Sequence, residues 1–213
     1  MAWLLPAVLL PLMCPAAWAQ GTTHQTAQPT ADSGTARLQP GAHPPLTAAE
    51  RFDWFVKSTL GFPSLAGGVI SSAWGTAFNS PPEYGPHWEG FGKRYGMRLT
   101  GVSVGNAIEA GLGAALGDNP RYFTAQGQPF GSRVLHIVKF TFLTYKTDGS
   151  TGPNYSFYVA DVGNNFLSNL WRVPSENDTQ HAMIRIGEGF MGRMASNAFS
   201  EFWPDVKRML HKK

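Results

Sequence analysis

From residue 101 to residue 117 every fourth position is glycine, except that the middle one is glutamate: Gly101, Gly105, Glu109, Gly113 and Gly117. On an α-helix, residues four apart lie on one inclined ridge. A ridge of glycines lets a second helix come close, as small-residue faces do in tight helix pairs. Glu109 then projects into a helix contact, where a carboxylate has to be paired, hydrogen-bonded or protonated. Arg193 in the last helix is the expected partner, with Arg185 as the second choice.

The rest of the chain reads in the same way. Thr47 and Glu50 have the spacing of a capping box, and Phe52, Phe55 and Val56 then recur at helical intervals. In "SLAGGVISSAWGTAFN", Ala66, Ile70, Trp74 and Phe78 form a bulky ridge beside a small one of Ser64, Gly68, Ser72 and Thr76. Pro81 and Pro82 end that helix, and "EYGPHWEGFGKRYG" reads as a loop leading to a helix over about 98–117. Gly117 ends that helix in turn. "RVLHIVKFTFLTYK" suits a helix, with a strand closing a hairpin through "DGSTGPN" as the other option. The segment from Tyr155 sets Tyr155, Tyr158, Val159, Val162, Phe166 and Leu170 on one face and Asp161, Asn165 and Asn169 on another. The last helix carries Ile186, Phe190, Met194, Ala198 and Phe202 on one ridge, and Pro204 is expected to close it. The predicted fold is mostly α: a compact domain of five or six helices packed through small-residue ridges, with a short hairpin near 138–159.

The ends of the chain differ in kind. Residues 1–19 read as a signal peptide, with an apolar stretch from Leu4 to Met13 and Ala17-Trp18-Ala19 before the cleavage point. Cys14, the only cysteine, falls inside it, so disulfides and thiol chemistry are not expected in the processed chain. Residues 20–46 are rich in Thr, Gln, Ala, Gly and Pro and read as a disordered tether, leaving 47–213 as the helical domain. A net charge of +3 is too small for a dedicated nucleic-acid binder, and "KRMLHKK" at the end reads as a solvated helix terminus.

Two catalytic-looking motifs fail on context. "GVSVG" at 101–105 spells the G-x-S-x-G elbow around Ser103, with Asp161 and His181 following in triad order. The charged segment before it supplies no buried strand. "GEGFMG" at 187–192 spells G-x-G-x-x-G, but no second strand follows it, so its glycines are read as helix packing. His87, His136 and His181 are isolated, with no metal spacing around them. No catalytic residue, metal or cofactor is therefore assigned. The polar groups singled out as candidate ligand contacts are Glu109, Arg121, His136, Asp161, Asn165, Arg185 and Arg193.

The ordered set "AFNSPPEYGPHWEGFGKRYG", "GDNPRYF" and "EFWPD" resembles a family of small exported bacterial proteins without an established activity, over roughly residues 47–210. The resemblance implies a helical exported domain and transfers no catalytic residue. The function expected is that of a non-enzymatic structural or binding element of the cell envelope, in the periplasm or at a membrane surface. The oligomeric state is left open. Residues 58–82 carry no charge, so insertion of that stretch in a membrane is a further option. The competing expectation is an envelope hydrolase using Glu109, Asp161 or His136.

Overall fold

The computed structural model describes residues 46–211. Six α-helices run in order: α1 (Ala48–Leu60), α2 (Phe62–Ala77), α3 (Trp88–Leu116), α4 (Phe130–Phe142), α5 (Tyr155–Leu167) and α6 (Thr179–Leu210). A two-stranded antiparallel hairpin, β1 (Leu143–Tyr145) and β2 (Thr151–Pro153), lies between α4 and α5, with Thr144 opposite Gly152. The mostly helical domain expected from the periodicities is the fold that forms, and "RVLHIVKFTFLTYK" is both of its options in succession. The helix yields to the strand at Leu143. The stretch read as a signal peptide lies outside the described residues. So does the tether, except for its last member, Leu46, which is buried and belongs to the fold.

The first helix starts as its sequence dictates. The Thr47 side chain accepts from the Glu50 amide, and the Glu50 carboxylate accepts in return from the Thr47 amide at 2.8 Å. Gly117 ends α3 in the left-handed region at φ 72, which glycine adopts without strain.

Two boundaries differ from expectation. The second part of the Gly-rich stretch read as a loop, from Trp88 on, is the opening of α3, and residues 83–87 precede the helix. Gly90 is needed there for a close approach, since a Cβ at that position would lie 2.0 Å from the Gly85 carbonyl oxygen. Arg94, one turn on, holds the preceding loop by donating to the carbonyls of Ser80, Pro81 and Gly85. Tertiary contacts thus offset the helix penalty of the glycines. The second correction is Pro204, which lies inside α6 rather than at its end. A proline removes the donor for the carbonyl four residues back, here Ser200, and its ring crowds that turn. In that turn Arg133 Nη2 donates to the Glu201 carbonyl, and the helix continues to Leu210.

In α1, α2 and α5 many of the bulky apolar side chains face outward and small or polar ones face inward. In α2 the small ridge faces inward, with Ser64 and Ser72 buried, while Ile70, Trp74 and Phe78 are 61%, 43% and 61% exposed. In α5 the buried residues are Ser156, Phe157, Ala160, Asp161, Asn164 and Asn165, and Tyr155, Val159, Val162, Phe166 and Leu167 face outward. In α1 Phe52 is exposed and Arg51, Trp54, Ser58 and Thr59 are buried. Only the α4–α6 end has a conventional core, where Tyr122, Ile137 and Phe140 pack against Tyr145, Met194, Ala198 and Phe202.

Candidate functional site

Along the glycine ridge of α3, Gly105 meets α5, Gly113 meets α1 and the start of α5, and Gly117 meets Thr147 in the hairpin turn, whereas nothing lies within 4 Å of a Cβ at Gly101. A Cβ at Gly105 would lie 3.3 Å from Asn164 Nδ2, and one at Gly113 would lie 2.8 Å from Arg51 Nη1. Between these two contacts sits a small cavity lined from α3 by Val102, Gly105, Asn106 and Glu109 and from α5 by Phe157, Ala160, Asp161 and Asn164.

Glu109 is 4% exposed and Arg193, reaching in from α6, is 6% exposed. Arg193 Nη1 donates to Glu109 Oε1 at 2.9 Å, and the same guanidinium lies 4.2 Å from the centroid of the Phe157 ring. The pairing expected from the sequence is present. Burial pushes the Glu109 carboxyl above its usual range, and the nearby Arg193 opposes that rise without cancelling it. Asn106, one helical turn before Glu109, donates from Nδ2 to Thr59 Oγ1 at 3.1 Å and so ties α1 to the same interior.

Asp161 faces the cavity from α5 and is 2% exposed. Its Oδ1 accepts from Asn165 Nδ2 at 3.0 Å, and it rests on α6 at Gly189, where an added Cβ would be 2.1 Å away. The G-x-G-x-x-G match is therefore a helix-packing device at its central glycine. Arg185 does not reach Glu109. It donates to the carbonyls of Glu176 and Asn165 and to Asn169 Oδ1, tying the first turns of α6 to the end of α5. Burial lowers its pKa to about 10.

The two remaining candidates lie elsewhere. His136 Nε2 is 2.9 Å from the Phe123 carbonyl oxygen, with its ring between Tyr122 and Phe140. Arg121 stays by Asn119, donating from Nε to its Oδ1, with Nη1 3.9 Å from Glu50. His136 does not line the cavity that Glu109 and Asp161 share, so the three groups named for a hydrolase do not form one constellation. Ser103 sits in the interior of α3 and donates to the Leu99 carbonyl one turn earlier, which is helix geometry and not a nucleophile elbow.

Three stations of the polar interior escape a sequence reading. Asp118 is fully buried, accepts from the Ser156 amide at 2.9 Å and pairs with Lys146. It joins the end of α3 to the hairpin and to α5. Glu201, also fully buried, accepts from Tyr122 Oη at 2.8 Å, from the Ala125 amide and from Arg133 Nε at 2.8 Å, while Arg133 Nη1 reaches Asp205 at 2.6 Å. Arg94 is the third. These stations fall in the stretches "GKRYG", "GDNPRYF" and "EFWPD", and the last two meet through Tyr122 and Glu201. Asp118 lies just past the end of α3 and Arg94 lies beside Lys93, whereas for Glu201 the signal available was a charged residue inside a helix rich in apolar side chains. That pattern marks a buried group only once the inward face is known.

No protein-family model, curated protein or solved structure matches the chain. Among the described residues, no group of three or more His, Cys, Asp or Glu side chains is placed to hold a metal ion. Among them, too, no helix is long and apolar enough to cross a membrane, and the insertion considered for residues 58–82 gains no support from α2.

Proposed function

We propose that the protein is an exported, non-enzymatic element of the cell envelope that associates with a lipid surface through the apolar outer faces of α2, α5 and α6. The observation that carries this reading is the inversion of α5. Its outward residues Tyr155, Val159, Val162, Phe166 and Leu167 include no charge, while its one carboxylate and its two adjacent amides, Asn164 and Asn165, are buried. Full burial of a valine or phenylalanine is worth about 1.5–3 kcal/mol, roughly half of which these half-exposed side chains forgo, and contiguous patches of that kind mark contact surfaces. Lipid suits this patch because it covers apolar groups without requiring complementary polar partners. The export half of the reading is supported by the sequence of residues 1–19 alone.

Flotation of the full-length chain with lipid vesicles tests the lipid half. Replacing Val159, Val162 and Phe166 together by serine should lower vesicle binding by about tenfold or more at a temperature where circular dichroism shows the variant still folded. Residues 1–19 are common to both proteins and cancel in the comparison. Undiminished binding by the triple variant would sink the proposal. A concentration-dependent oligomer that dissociates in the variant would assign the face to a second copy of the chain instead. Mass spectrometry of the native protein should find Gln20 at its N-terminus.

A further inference from the structure

We infer that the last three turns of α6 form an anionic-lipid contact, in which Lys207 and Arg208 meet phosphate headgroups while Phe199 and Trp203 enter the apolar layer beneath them. This rests on the lipid reading above and names the headgroup chemistry that the surface selects.

One stripe runs along the outer side of α6 over its last turns. Phe199, Trp203, Lys207 and Leu210 follow one another at four-, four- and three-residue intervals and are all exposed. The stripe is therefore a single outward line on the helix. Its order is aromatic first and basic second. The Phe199 and Trp203 rings stack with centroids 5.0 Å apart, and Lys207 Nζ lies 5.5 Å from the Trp203 ring centroid. At about 1.5 Å of rise per residue, Lys207 stands roughly 6 Å further along the axis than Trp203. An aromatic at interface depth with a long cationic side chain one turn beyond it matches the layering of a bilayer surface. Met209 and Leu210, each about two-thirds exposed, continue the apolar side of the same turns.

The acidic groups nearby do not cancel the charge. Glu201 is fully buried beneath the stripe against Tyr122 and Arg133. Asp205 is drawn to Arg133 at 2.6 Å and lies 3.3 Å from Arg208, so Arg133 and Arg208 balance Glu201 and Asp205, and Lys207 adds a third cation to the two carboxylates. Together these charges leave a net positive end. The opposite end of α6 has another character. It starts at Asp178, which caps the helix by accepting from the His181 amide. The charge along α6 is thus directional, and only its C-terminal end combines exposed cations with exposed aromatics.

Full-length protein is floated with vesicles of phosphatidylcholine alone and of phosphatidylcholine mixed with phosphatidylglycerol. Wild type should prefer the anionic vesicles. The Lys207→Gln, Arg208→Gln variant should lose about thirtyfold in partition to them and nothing in partition to the zwitterionic ones. High salt should reproduce that loss in the wild type. Trp203→Ala should weaken binding to both vesicle types. Equal partition of wild type into the two vesicle types, or a double variant that keeps the anionic preference, overturns the headgroup assignment and leaves the lipid reading standing. Wild type that floats with neither overturns both.

Discussion

Arg193 reaches across from α6 to place Nη1 2.9 Å from Glu109 Oε1, in an interior where both side chains are almost wholly removed from water. Breaking such a pair from one side leaves an uncompensated charge, at a cost on the order of 3–5 kcal/mol. Glu109→Leu alone should therefore lower the denaturation midpoint sharply, as should Arg193→Met alone. The double variant should recover much of the loss, because two apolar side chains of similar volume need no partner. A double-mutant cycle in urea measures the coupling, and strictly additive losses would show that the contact is not energetically shared.

The same carboxyl sets a pH dependence. Burial holds the folded-state pKa of Glu109 above its unfolded value. The folded protein therefore binds the proton more tightly, and this group's contribution to stability is fully present below the unfolded pKa and fades as pH rises through the folded one. Comparing wild type with Glu109→Gln across the mildly acidic range should show a negative slope that the variant loses. A positive slope assigned to this residue would mean that Arg193 dominates burial.

Two glycines two residues apart in α6 should respond in opposite directions. Gly189→Ala places a methyl about where Asp161 Oδ1 sits, so it should destabilise by roughly 1–3 kcal/mol despite the better helix propensity. Gly187 has nothing within 4 Å of its would-be Cβ, so Gly187→Ala should stabilise by up to about 1 kcal/mol. Thermal melts of the two variants read both signs at once.

A fluorophosphonate probe should leave the protein unlabelled. Ser103 Oγ is held by the Leu99 carbonyl inside α3, with no strand-to-helix turn to expose it. Labelling that disappears in Ser103→Ala would restore the hydrolase reading.

What could be read from the sequence follows from what local chemistry decides. The capping box at Thr47 and Glu50 and the left-handed stop at Gly117 involve neighbours in the chain, so composition and spacing reveal them. The Glu109–Arg193 pair was legible for another reason. A charge placed in a row of glycines has few places to go, and α6 offers Arg193 in line with Asn197 and Glu201. The inward face of each helix was not legible. Periodicity separates the two sides of α5 cleanly, but nothing in the spacing of Val159 and Val162 against Asp161 and Asn165 says which side turns inward. Arg121 and His136 looked like ligand contacts for their residue types. In the fold they serve the 119–123 segment, and the groups that share the cavity with Glu109 include Asn106 and Asn164, whose amides are unremarkable in a sequence. The early start of α3 was hidden because Arg94's three backbone partners lie 9 to 14 residues before it.

An interior built from serine, asparagine, arginine and carboxylates also has a calorimetric consequence. The heat-capacity rise on unfolding comes from newly hydrated apolar groups, and hydrating polar groups reduces it. Here many large apolar side chains meet solvent before unfolding begins, and much of what melting uncovers is polar. The heat-capacity increment should fall below the ordinary ~12–15 cal/mol/K per residue. The stability curve is then broad and shallow: cooling weakens the fold little, and warming removes it gradually.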